Sequence, residues 1–472
     1  MNYISTRGLA PKISFDDAVL AGLARDGGLY LPETWPVLPV ETIRAFKGKP
    51  FSDIAVEVIA PFIGSAMSRA GLQSMADAAY ANFGHPAVTP LRQLRPGFYI
   101  LELFHGPTLA FKDVAMQLLA RLMDHVLEKR AQRATIVGAT SGDTGGAAIE
   151  AFRTSKRADV TILFPEGRVS DVQRRMMTTA TEANVRAIAI KGTFDDCQAL
   201  VKAMFNDHAF RDRVQLSGVN SINWARIVAQ ITYYFAAAAN LGAPDKAISF
   251  AVPTGNFGDI FAGYAAKRMG LPIEKLIIAS NENDILPRTV ETGVYEMRGV
   301  VPTSSPSMDI QISSNFERYL FECCDRDAGK IRGFMASLAS EKRFALGDLG
   351  TKLKLDFAAA AASGQDVANC IKRINAEHGY VIDPHTACGV VAAGRFKVQG
   401  DTVVLATAHP AKFPDALKAV TGISPQLPQR LSSLMTDVER FDVLPNDLAA
   451  VQDDIAAHAQ ARARAPAKAE QL

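Results

Sequence analysis

From Gly97 onward the chain alternates short apolar runs with helical segments, and this alternation constrains the fold more than any other feature of the sequence. The apolar runs are "FYILELF", "ATIVGA", "DVTILF", "VRAIAI", "AISFAVP", "KLIIAS" and "TVVLATAHP". Runs of about four to eight apolar residues with helices between them are typical of buried strands in a parallel sheet. We therefore predict an α/β fold whose strand-to-helix turns carry the functional residues.

The part of the chain before Gly97 has a different pattern, mainly helical and interrupted by prolines. Ser14 can cap a helix that runs to Ala24, the connection "LYLPETWPVLP" follows, and helical patterns continue to about Asn82. The tail "AAHAQARARAPAKAEQL" is Ala-rich and poorly patterned. The predicted divisions are an N-terminal domain over residues 1–92, α/β domains over 93–235 and 236–430, and a partly disordered C-terminal extension over 431–472.

Composition excludes several classes of function. The formal net charge of the 472 residues is +2, so no global charge indicates a nucleic acid or an anionic membrane as partner. No apolar stretch approaches the ~18 residues of a membrane span, and "MNYISTRGLAPKISF" has no apolar core for a signal peptide. The five cysteines are scattered without CxxC spacing, which predicts reduced thiols, a cytoplasmic location and no metal site.

Lys112 stands at the start of a predicted amphipathic helix, within "ELFHGPTLAFKDVAMQLL". The residues before it are mostly small, apolar or turn-forming, and a buried lysine cation costs roughly several kcal/mol to desolvate. Taken alone, such a lysine is most simply a solvated surface residue. An amine that condenses with an aldehyde to form a Schiff base avoids the buried charge.

The turn "PTGNFGD" follows an apolar run and opens a helix, with glycines at 255 and 258. Glycine permits positive φ and close approach of the backbone, and the N–H groups at a helix start attract an anion such as phosphate. An ordinary glycine turn explains two glycines equally well. The turn matches neither a Walker loop nor a GxGxxG fingerprint.

Two further turns carry polar residues. "GATSGDTGGAA" places Thr140, Ser141, Asp143 and Thr144 among four glycines, a set that suits a carboxylate or a ring oxygen unless Asp143 or Thr144 simply caps the next helix. In "ATAHPAKF", Thr407 should end a buried strand, where a threonine is more often structural. An amine, an anion site and a polar loop together fit pyridoxal phosphate, which has an aldehyde, a phosphate and an electron-accepting ring.

Long motifs in a fixed order extend these observations over nearly the whole chain except the tail. They are "STRG", "DGGLYLP", "LELFHGPTLAFKD", "ATSGDTG", "NSINWARI", "VPTGNFGD", "SMDIQISSNFER" and "TAHPAKF". Through them the sequence resembles the threonine synthase family, in the bacterial and fungal branch of fold-type II pyridoxal-phosphate enzymes. The resemblance implies a tryptophan synthase β-like fold, with two open α/β domains, the cofactor in the cleft between them, and a mainly helical N-terminal extension.

The resemblance also implies roles for individual residues. Lys112 would hold the cofactor as a Schiff base, and Thr407 would lie beside the pyridine nitrogen. Asp143 occupies the position where relatives often have an asparagine near the ring oxygen. The cofactor phosphate would be bound through backbone N–H groups of the turn, and the cofactor-binding set there is Gly255, Asn256, Phe257, Gly258 and Asp259.

The family reaction converts O-phospho-L-homoserine and water into L-threonine and phosphate by γ-elimination and β-hydration, with Lys112 moving the protons. Arg226 is the first candidate for the substrate phosphate because its planar fork grips phosphate oxygens in two places, although a surface arginine is the alternative. Lys412 is a second candidate and fits a helix-start surface charge at least as well. The remaining predicted substrate-binding residues are Thr140, Ser141, Asn220, Ser221 and Asn223.

Some predictions stay open at this point. His105 and His409 could shuttle protons or act as hydrogen-bonded supports, and residues 307–318, with Asp309 and Asn315, could form a lid or a domain contact. The rival functions are a phospho-lyase or dehydratase giving 2-oxobutyrate, and a non-catalytic pyridoxal-phosphate-binding protein. The dehydratase needs no substrate phosphate site, and an intact Lys112 argues against the binding protein. We expect a small-molecule substrate, no nucleic acid, no membrane, and a monomer or homodimer.

Overall fold

The computed structural model describes residues 1–464, which form two compact units. Unit 1 comprises residues 1–118 and 221–428, and unit 2 comprises residues 119–220 with the chain from residue 429 onward. These boundaries differ from the predicted divisions at 92/93, 235/236 and 430/431. The reason is strand pairing between segments far apart in sequence, which apolar patterns do not reveal.

The strands are short and alternate with helices, as predicted from Gly97 onward. In chain order they are β1 (Tyr3–Ser5), β2 (Tyr30–Pro32), β3 (Leu91–Arg95), β4 (Phe98–Glu102), β5 (Ala134–Ala139), β6 (Ala158–Pro165), β7 (Val185–Lys191), β8 (Leu216–Ser217), β9 (Ile248–Pro253), β10 (Ile273–Ser280), β11 (Val294–Glu296), β12 (Arg343–Ala345), β13 (Phe357–Ala361), β14 (Asp401–Ala406) and β15 (Asp442–Pro445).

The helices occupy both units. They are α1 (Phe15–Ala21), α2 (Val40–Arg44), α3 (Phe51–Ile63), α4 (Arg69–Tyr80), α5 (Lys112–Lys129), α6 (Asp143–Phe152), α7 (Asp171–Thr178), α8 (Phe194–Asn206), α9 (His208–Val214), α10 (Trp224–Asn240), α11 (Gly258–Arg268), α12 (Ile285–Thr292), α13 (Phe316–Cys323), α14 (Ala328–Glu341), α15 (Leu349–Asp356), α16 (Gly364–His378), α17 (Pro384–Gly394), α18 (Pro414–Thr421) and α19 (Leu448–Arg464).

Unit 1 is built on a six-stranded sheet with the order β13-β10-β9-β14-β4-β3. All neighbouring strands are parallel except β3, which pairs with β4 in an antiparallel hairpin. The core on one face is formed by Ile100, Ala251, Ile277 and Val404 with apolar residues of α16 and α17. Complete burial of such an aliphatic side chain stabilises the fold by about 1.5–3 kcal/mol relative to exposure.

Unit 2 contains a five-stranded parallel sheet with the order β15-β7-β6-β5-β8. Its core combines Val137, Leu163 and Ile188 of the sheet with residues of α8, α9 and α19. The apolar runs that predicted parallel strands are therefore confirmed in both sheets. Because β15 pairs with β7, the end of the described chain belongs to unit 2.

The N-terminal region is part of unit 1. The side chain of Ser14 accepts the N–H of Asp17, as the predicted cap requires, but α1 ends at Ala21, three residues before the predicted end at Ala24. The connection "LYLPETWPVLP" contains β2, which pairs with β1. Further along the chain, Glu317 accepts hydrogen bonds from Thr6 and Arg7, so the N-terminal segment is tied to α13.

The C-terminal extension is predicted to be partly disordered in its Ala-rich tail from Ala456, but residues 456–464 of that tail belong to α19 (Leu448–Arg464). Val451, Ile455 and Ala456 are buried in the core of unit 2, and this apolar contact explains why an Ala-rich segment is helical. Residues 465–472 lie outside the described residues. Within residues 1–464, no helix combines the length and hydropathy that crossing a membrane requires.

Candidate active site

The candidate site lies in unit 1, where three turns leave three neighbouring strands. Residues 103–111 follow β4, residues 254–257 follow β9, and residues 407–413 follow β14. These strands are adjacent and parallel, in the order β9-β14-β4, so their carboxyl ends share one edge of the sheet. This is the edge where α/β folds bind ligands.

Lys112 and Thr407 are brought close together at this edge. The N–H of Phe111 donates to the carbonyl oxygen of Thr407 over 2.9 Å, and the N–H of His409 donates to the carbonyl oxygen of Leu109 over 3.0 Å. Lys112 is the first residue of α5 and is 8% exposed. The sequence thus correctly placed an amine at a helix start, and the fold buries it.

The segment before Lys112 is held by the carboxylate of Asp113, which accepts the N–H and the hydroxyl of Thr108 at 2.8 and 2.6 Å. Burial raises the pKa of Asp113 to about 6, while the hydrogen bonds from Thr108 and the charge of Lys412 oppose this rise. The Nζ of Lys412 donates to the carbonyl oxygen of Thr108 over 2.9 Å. Lys412 is 1% exposed, so the surface interpretation of this lysine is wrong.

The turn after β9 has its positive φ at Phe257 (φ +62°) and not at either glycine. A left-handed conformation is unfavourable for a large side chain, by about 1–2 kcal/mol. Phe257 is 1% exposed, and its ring packs against Phe316 and Phe357 at centroid distances of 5.3 and 5.4 Å. This packing fixes the conformation that the turn needs.

Close approach of neighbouring atoms requires a glycine at 255 and favours one at 258. A Cβ on Gly255 would lie 2.8 Å from the carbonyl oxygen of Ser307, and a Cβ on Gly258 would lie 3.3 Å from the Nδ2 of Asn315. Ser313 donates its hydroxyl to the carbonyl oxygen of Gly255, and Asn315 donates its N–H and its amide to that of Asn256. Residues 307–315 therefore support the turn from behind.

Asp309 belongs to a separate cluster further back in this segment. Its carboxylate accepts the hydroxyl and the N–H of Thr303 and the amides of Asn281 and Asn283. These bonds fix the loop that leads into the support for the turn. The part of the predicted lid that contacts the turn is thus a packed structural element.

Helix α11 begins directly after the turn. Within the described residues no side chain caps its N-terminus, so the first N–H groups remain oriented toward the turn, as an anion site needs. The carboxylate of Asp259 is directed instead to α10, where it accepts the hydroxyls of Tyr233 and Tyr234. Burial raises the pKa of Asp259 to about 7. Because the side chain is engaged with α10, the predicted cofactor contact of Asp259 stays a prediction for its main-chain N–H.

The start of α10 carries three of the predicted substrate-binding residues. Asn223 is fully buried; its amide donates to the carbonyl oxygen of Val19 and its Oδ1 accepts the N–H of Ala225. Asn223 is therefore the N-cap of α10, and its side chain belongs to the framework. The carbonyl oxygen of Ser221 accepts the amide of Asn315, which places Ser221 beside the turn after β9.

Arg226 lies in the first turn of the same helix and is 3% exposed, so the surface interpretation of this arginine is wrong as well. Burial lowers the pKa of its guanidinium to about 10, which leaves it cationic at neutral pH. Arg226 and Tyr233 are seven residues apart and share one face of α10. Since Tyr233 contacts Asp259, this face points toward the start of α11.

Unit 2 holds the glycine-rich loop at the end of β5. The hydroxyl oxygen of Thr140 accepts the N–H groups of Gly142 and Gly145 at 2.9 and 3.0 Å, and Asp143 accepts the amide of Gln173 at 2.9 Å. Gly142 is the N-cap residue, so neither Asp143 nor Thr144 caps α6. The loop brings Thr140, Ser141 and Asp143 together, while Asn220 is an exposed residue at the end of this part of the chain.

Two histidines of unit 1, His105 and His409, have hydrogen-bond partners that bear on their predicted roles. His105 is hydrogen-bonded to Glu102 over 2.8 Å, and Glu102 also accepts the hydroxyl of Tyr380 over 2.7 Å. His409 accepts the N–H of Ala411 with its Nδ1 and shapes the turn after Thr407. Both geometries favour the interpretation of these residues as hydrogen-bonded supports.

Sequence reasoning missed other buried polar residues. Arg318 is fully buried and donates to the carbonyl oxygens of Tyr30 and Ile222 and to Asn315, and burial lowers the pKa of its guanidinium to about 9. His385 is hydrogen-bonded to Asp383 over 2.7 Å. The only local signal for this pair is "DPHTA", in which an aspartate N-cap precedes a proline at the first helical position.

These residues fit pyridoxal phosphate. The buried amine of Lys112 meets the need for an aldehyde partner, and a hydroxyl, that of Thr407, lies on the neighbouring turn. The start of α11 offers main-chain N–H groups to a phosphate, and the turn before it is so closely packed that it excludes a Cβ at Gly255. Comparison with known proteins supports the same cofactor.

Three family profiles match the chain in succession. They are described as "Threonine synthase N terminus" over residues 2–80, "Pyridoxal-phosphate dependent enzyme" over 83–347, and "Threonine synthase, C-terminal" over 386–455. Threonine synthase of Pseudomonas aeruginosa is 49% identical over 462 residues, which is 97% of this chain and 98% of that protein. Threonine synthase of Schizosaccharomyces pombe is 45% identical and covers 88% of both chains.

Solved structures give the same result. The crystal structure of PLP-bound threonine synthase from Brucella melitensis superposes with a TM-score of 0.95 at 57% identity, covering 98% of this chain and 100% of that chain. Yeast threonine synthase has a TM-score of 0.92 at 39% identity, with coverage of 98% and 99%. A tomato threonine deaminase, at 14% identity and a TM-score of 0.53, shares the fold alone. The predicted fold-type II class is confirmed.

Proposed function

Since the chain belongs to the threonine synthase family, we propose that it converts O-phospho-L-homoserine and water into L-threonine and phosphate. One observation carries the proposal: Lys112, the turn at Gly255–Gly258 and Thr407 lie on adjoining turns of three neighbouring strands. This arrangement lies within a chain that matches threonine synthases along nearly its whole length.

Pyridoxal phosphate, when bound, supplies an aldehyde for the amine and a ring that takes up electron density as protons leave the substrate. Lys112 is the residue that we assign to the aldehyde and, once its amine is released, to proton transfer at the substrate carbons. Two sets of contacts fix its position at the first residue of α5. Thr108 donates two hydrogen bonds to the following residue, Asp113, and residues 109–111 pair with residues 407–409. A fixed amine keeps proton transfer directed to one face of the substrate.

The cofactor phosphate is assigned to the N-terminus of α11. The main-chain N–H groups of residues 255–258 would donate to it, and the helix dipole favours its charge. Asp259 repels an anion least when its carboxyl group is protonated. Burial favours that state because it raises the pKa of the group. Thr407 offers a hydroxyl and no negative charge to the ring.

The substrate phosphate is assigned to Arg226, with Ser221 nearby. A guanidinium that burial has deprived of water gains more from a phosphate partner than a solvated one does. We assign the Asn223 side chain to the framework because it caps α10, and we rank Lys412 after Arg226 because its Nζ already donates to Thr108. Thr140, Ser141, Asn220 and Asp143 remain assigned to ligand binding on the basis of the family motifs.

We further propose a cytoplasmic enzyme, monomeric or homodimeric, that binds no nucleic acid. The five cysteines are all buried and free, which suits a reducing compartment. The oligomeric state can be measured by light scattering coupled to size-exclusion chromatography.

The decisive experiment is a product assay. Purified protein incubated with O-phospho-L-homoserine should release phosphate and L-threonine in equal amounts. Release of 2-oxobutyrate as the main product would establish the lyase alternative, and no turnover by a protein that holds the cofactor would establish the binding-protein alternative.

A second experiment tests the assignment of Lys112. Borohydride reduction should leave a pyridoxyl group on the peptide that contains Lys112, and Lys112→Ala should abolish this label. Lys47, which is exposed, supplies the matched control: Lys47→Ala should keep both the label and the activity. A label on any other lysine would refute the assignment.

A further inference from the structure

Asp383 and His385 form a buried carboxylate–imidazole pair at the start of α17. Asp383 is fully buried; its Oδ2 accepts the N–H of His385 over 2.9 Å and lies 2.7 Å from the Nδ1 of the same residue. Its Oδ1 accepts the N–H and the hydroxyl of Thr386. The carboxylate thus both caps the helix and fixes the imidazole ring, since a carboxylate partner requires a proton on Nδ1.

The other ring nitrogen has no such partner. His385 is 3% exposed, and among residues 1–464 no group lies within hydrogen-bonding distance of its Nε2. A buried polar atom left without a hydrogen bond costs about 1–3 kcal/mol. With Nδ1 protonated, Nε2 of the neutral ring is an acceptor that suits a hydroxyl or N–H hydrogen.

The pair lies at the same edge of the sheet as the candidate site. Gly389, one helical turn after His385, would place a Cβ 2.7 Å from the Cγ1 of Val404 and 3.5 Å from the Cγ of Pro253, the last residue of β9. One turn earlier, about 6 Å back along α17, the helix therefore reaches beyond the strand ends. The ring of His385 lies 5.2 Å from that of Phe413, in the turn after β14.

The segment that leads into α17 is also hydrogen-bonded to the end of β4. Tyr380 donates its hydroxyl to Glu102, the last residue of that strand. The His385 ring thus contacts the turn that carries Thr407, and the segment before α17 contacts the end of the strand that leads to Lys112.

We propose that His385 is a ligand-binding residue of this site, whose Nε2 accepts a hydrogen bond from a hydroxyl or N–H group of the bound cofactor or substrate. Asp383 is then a positioning residue that fixes the ring. The inference rests on the proposed function, because it takes this edge of the sheet as the cofactor site.

A pair of amide variants tests the proposal. The amide nitrogen of Asn can take the place of Nδ1 opposite Asp383 but leaves the Nε2 position empty, whereas Gln is one methylene longer and reaches that position. We expect His385→Asn to raise one of two constants by about tenfold. These are the dissociation constant of pyridoxal phosphate, titrated into the apoprotein, and the KM for O-phospho-L-homoserine. His385→Gln should stay within about threefold of the parent protein in both measurements.

The two measurements separate the sources of the hydrogen bond. A change in cofactor dissociation constant assigns Nε2 to the cofactor, and a change in KM alone assigns it to the substrate. Thermal unfolding of the apoproteins supplies a structural control, and both variants should melt together. His378→Asn, at a histidine beside Glu377 on the last turn of α16, should change neither constant.

The proposal is overturned if both amide variants match the parent protein in both constants. It is also overturned if both lose affinity in proportion to a lowered apoprotein melting temperature, which would make His385 purely structural. If the parent protein makes no threonine, the proposed function fails, and the cofactor titration alone then decides the role of His385.

Discussion

Phe111 donates its main-chain N–H to the carbonyl oxygen of Thr407, over 2.9 Å. This single bond joins the turns after β4 and β14, and it brings Lys112, the residue that follows Phe111, close to Thr407. The two segments are nearly 300 residues apart in sequence. Several consequences of this packing can be measured.

The two glycines of the turn after β9 should tolerate alanine differently. A Cβ at Gly255 meets a main-chain oxygen at 2.8 Å, which cannot move without displacing residues 307–308. A Cβ at Gly258 meets a side-chain amide at 3.3 Å, which can shift by a few tenths of an ångström. Gly255→Ala should therefore weaken cofactor binding by about tenfold or more, and Gly258→Ala by less.

The measurement is titration of pyridoxal phosphate into each apoprotein. Gly299→Ala is the matched control, because a Cβ there meets nothing within 4 Å and its φ is not positive. Equal affinities for the variants at 255 and 258 would show that the close contact with Ser307 does not shape the phosphate site.

Arg226 and Lys412 are both buried cations, but we expect replacement of Arg226 to affect activity and replacement of Lys412 to affect stability. Arg226→Ala should retain the cofactor and lose about 2–5 kcal/mol of substrate binding or transition-state stabilisation, since it removes the cation assigned to the substrate phosphate. Lys412→Met removes the donor to Thr108 and should lower the melting temperature of the apoprotein. Kinetics with O-phospho-L-homoserine and thermal unfolding together make the comparison.

Wild-type kinetics in Arg226→Ala would show that the substrate phosphate binds elsewhere. A raised KM for O-phospho-L-homoserine in Lys412→Met, with an unchanged melting temperature, would indicate that Lys412 binds the substrate phosphate.

Asp259 should make the apoprotein less stable as pH rises. Its folded pKa, about 7, is above its ordinary value of 3.8, so the folded protein retains a proton that the unfolded chain releases between these values. The free energy of unfolding therefore falls from about pH 4 to about pH 7, by an amount on the order of a few kcal/mol, and this contribution is constant above that range.

Asp259→Asn should show a shallower fall over the same range, because its amide does not titrate. The remaining fall in the free energy of unfolding with pH should include a contribution from Asp113, because the pKa of Asp113 is also raised, to about 6. Denaturant unfolding at several pH values measures both slopes, with the exposed Asp348→Asn as control. Identical slopes in the parent protein and Asp259→Asn would contradict the raised pKa.

Thr407→Asp should change which product the enzyme forms. A carboxylate beside the ring nitrogen favours its protonated form, because an opposite charge stabilises a cation. We expect the variant to keep the cofactor but to form less threonine and a larger share of 2-oxobutyrate. The product ratio and the visible spectrum are the measurements, and if both match the parent protein, Thr407 does not face the ring nitrogen.

The sequence by itself determined the secondary structure around the site. The apolar runs, the glycine turn and the cap at Ser14 depend on residues close together in the chain, and their periodicity and composition are readable without a partner. For the same reason the start of α5 at Lys112 and the loop at Thr140–Asp143 could be placed in advance. The lysine and the polar turns together pointed to pyridoxal phosphate, and the family motifs then supplied the reaction.

Only the tertiary structure showed which of these side chains are buried and hydrogen-bonded to distant segments. The sequence predicted Asn223 and Asp259 as ligands and Lys412 as a surface charge or a second phosphate cation, and the fold gives their side chains partners at Val19, Tyr233 and Thr108. The boundaries of the units and the helix at 448–464 likewise depend on pairing with distant segments. Sequence patterns encode periodicity and capping, whereas burial and hydrogen-bond partners arise when segments hundreds of residues apart pack together, as with His385 and Phe413.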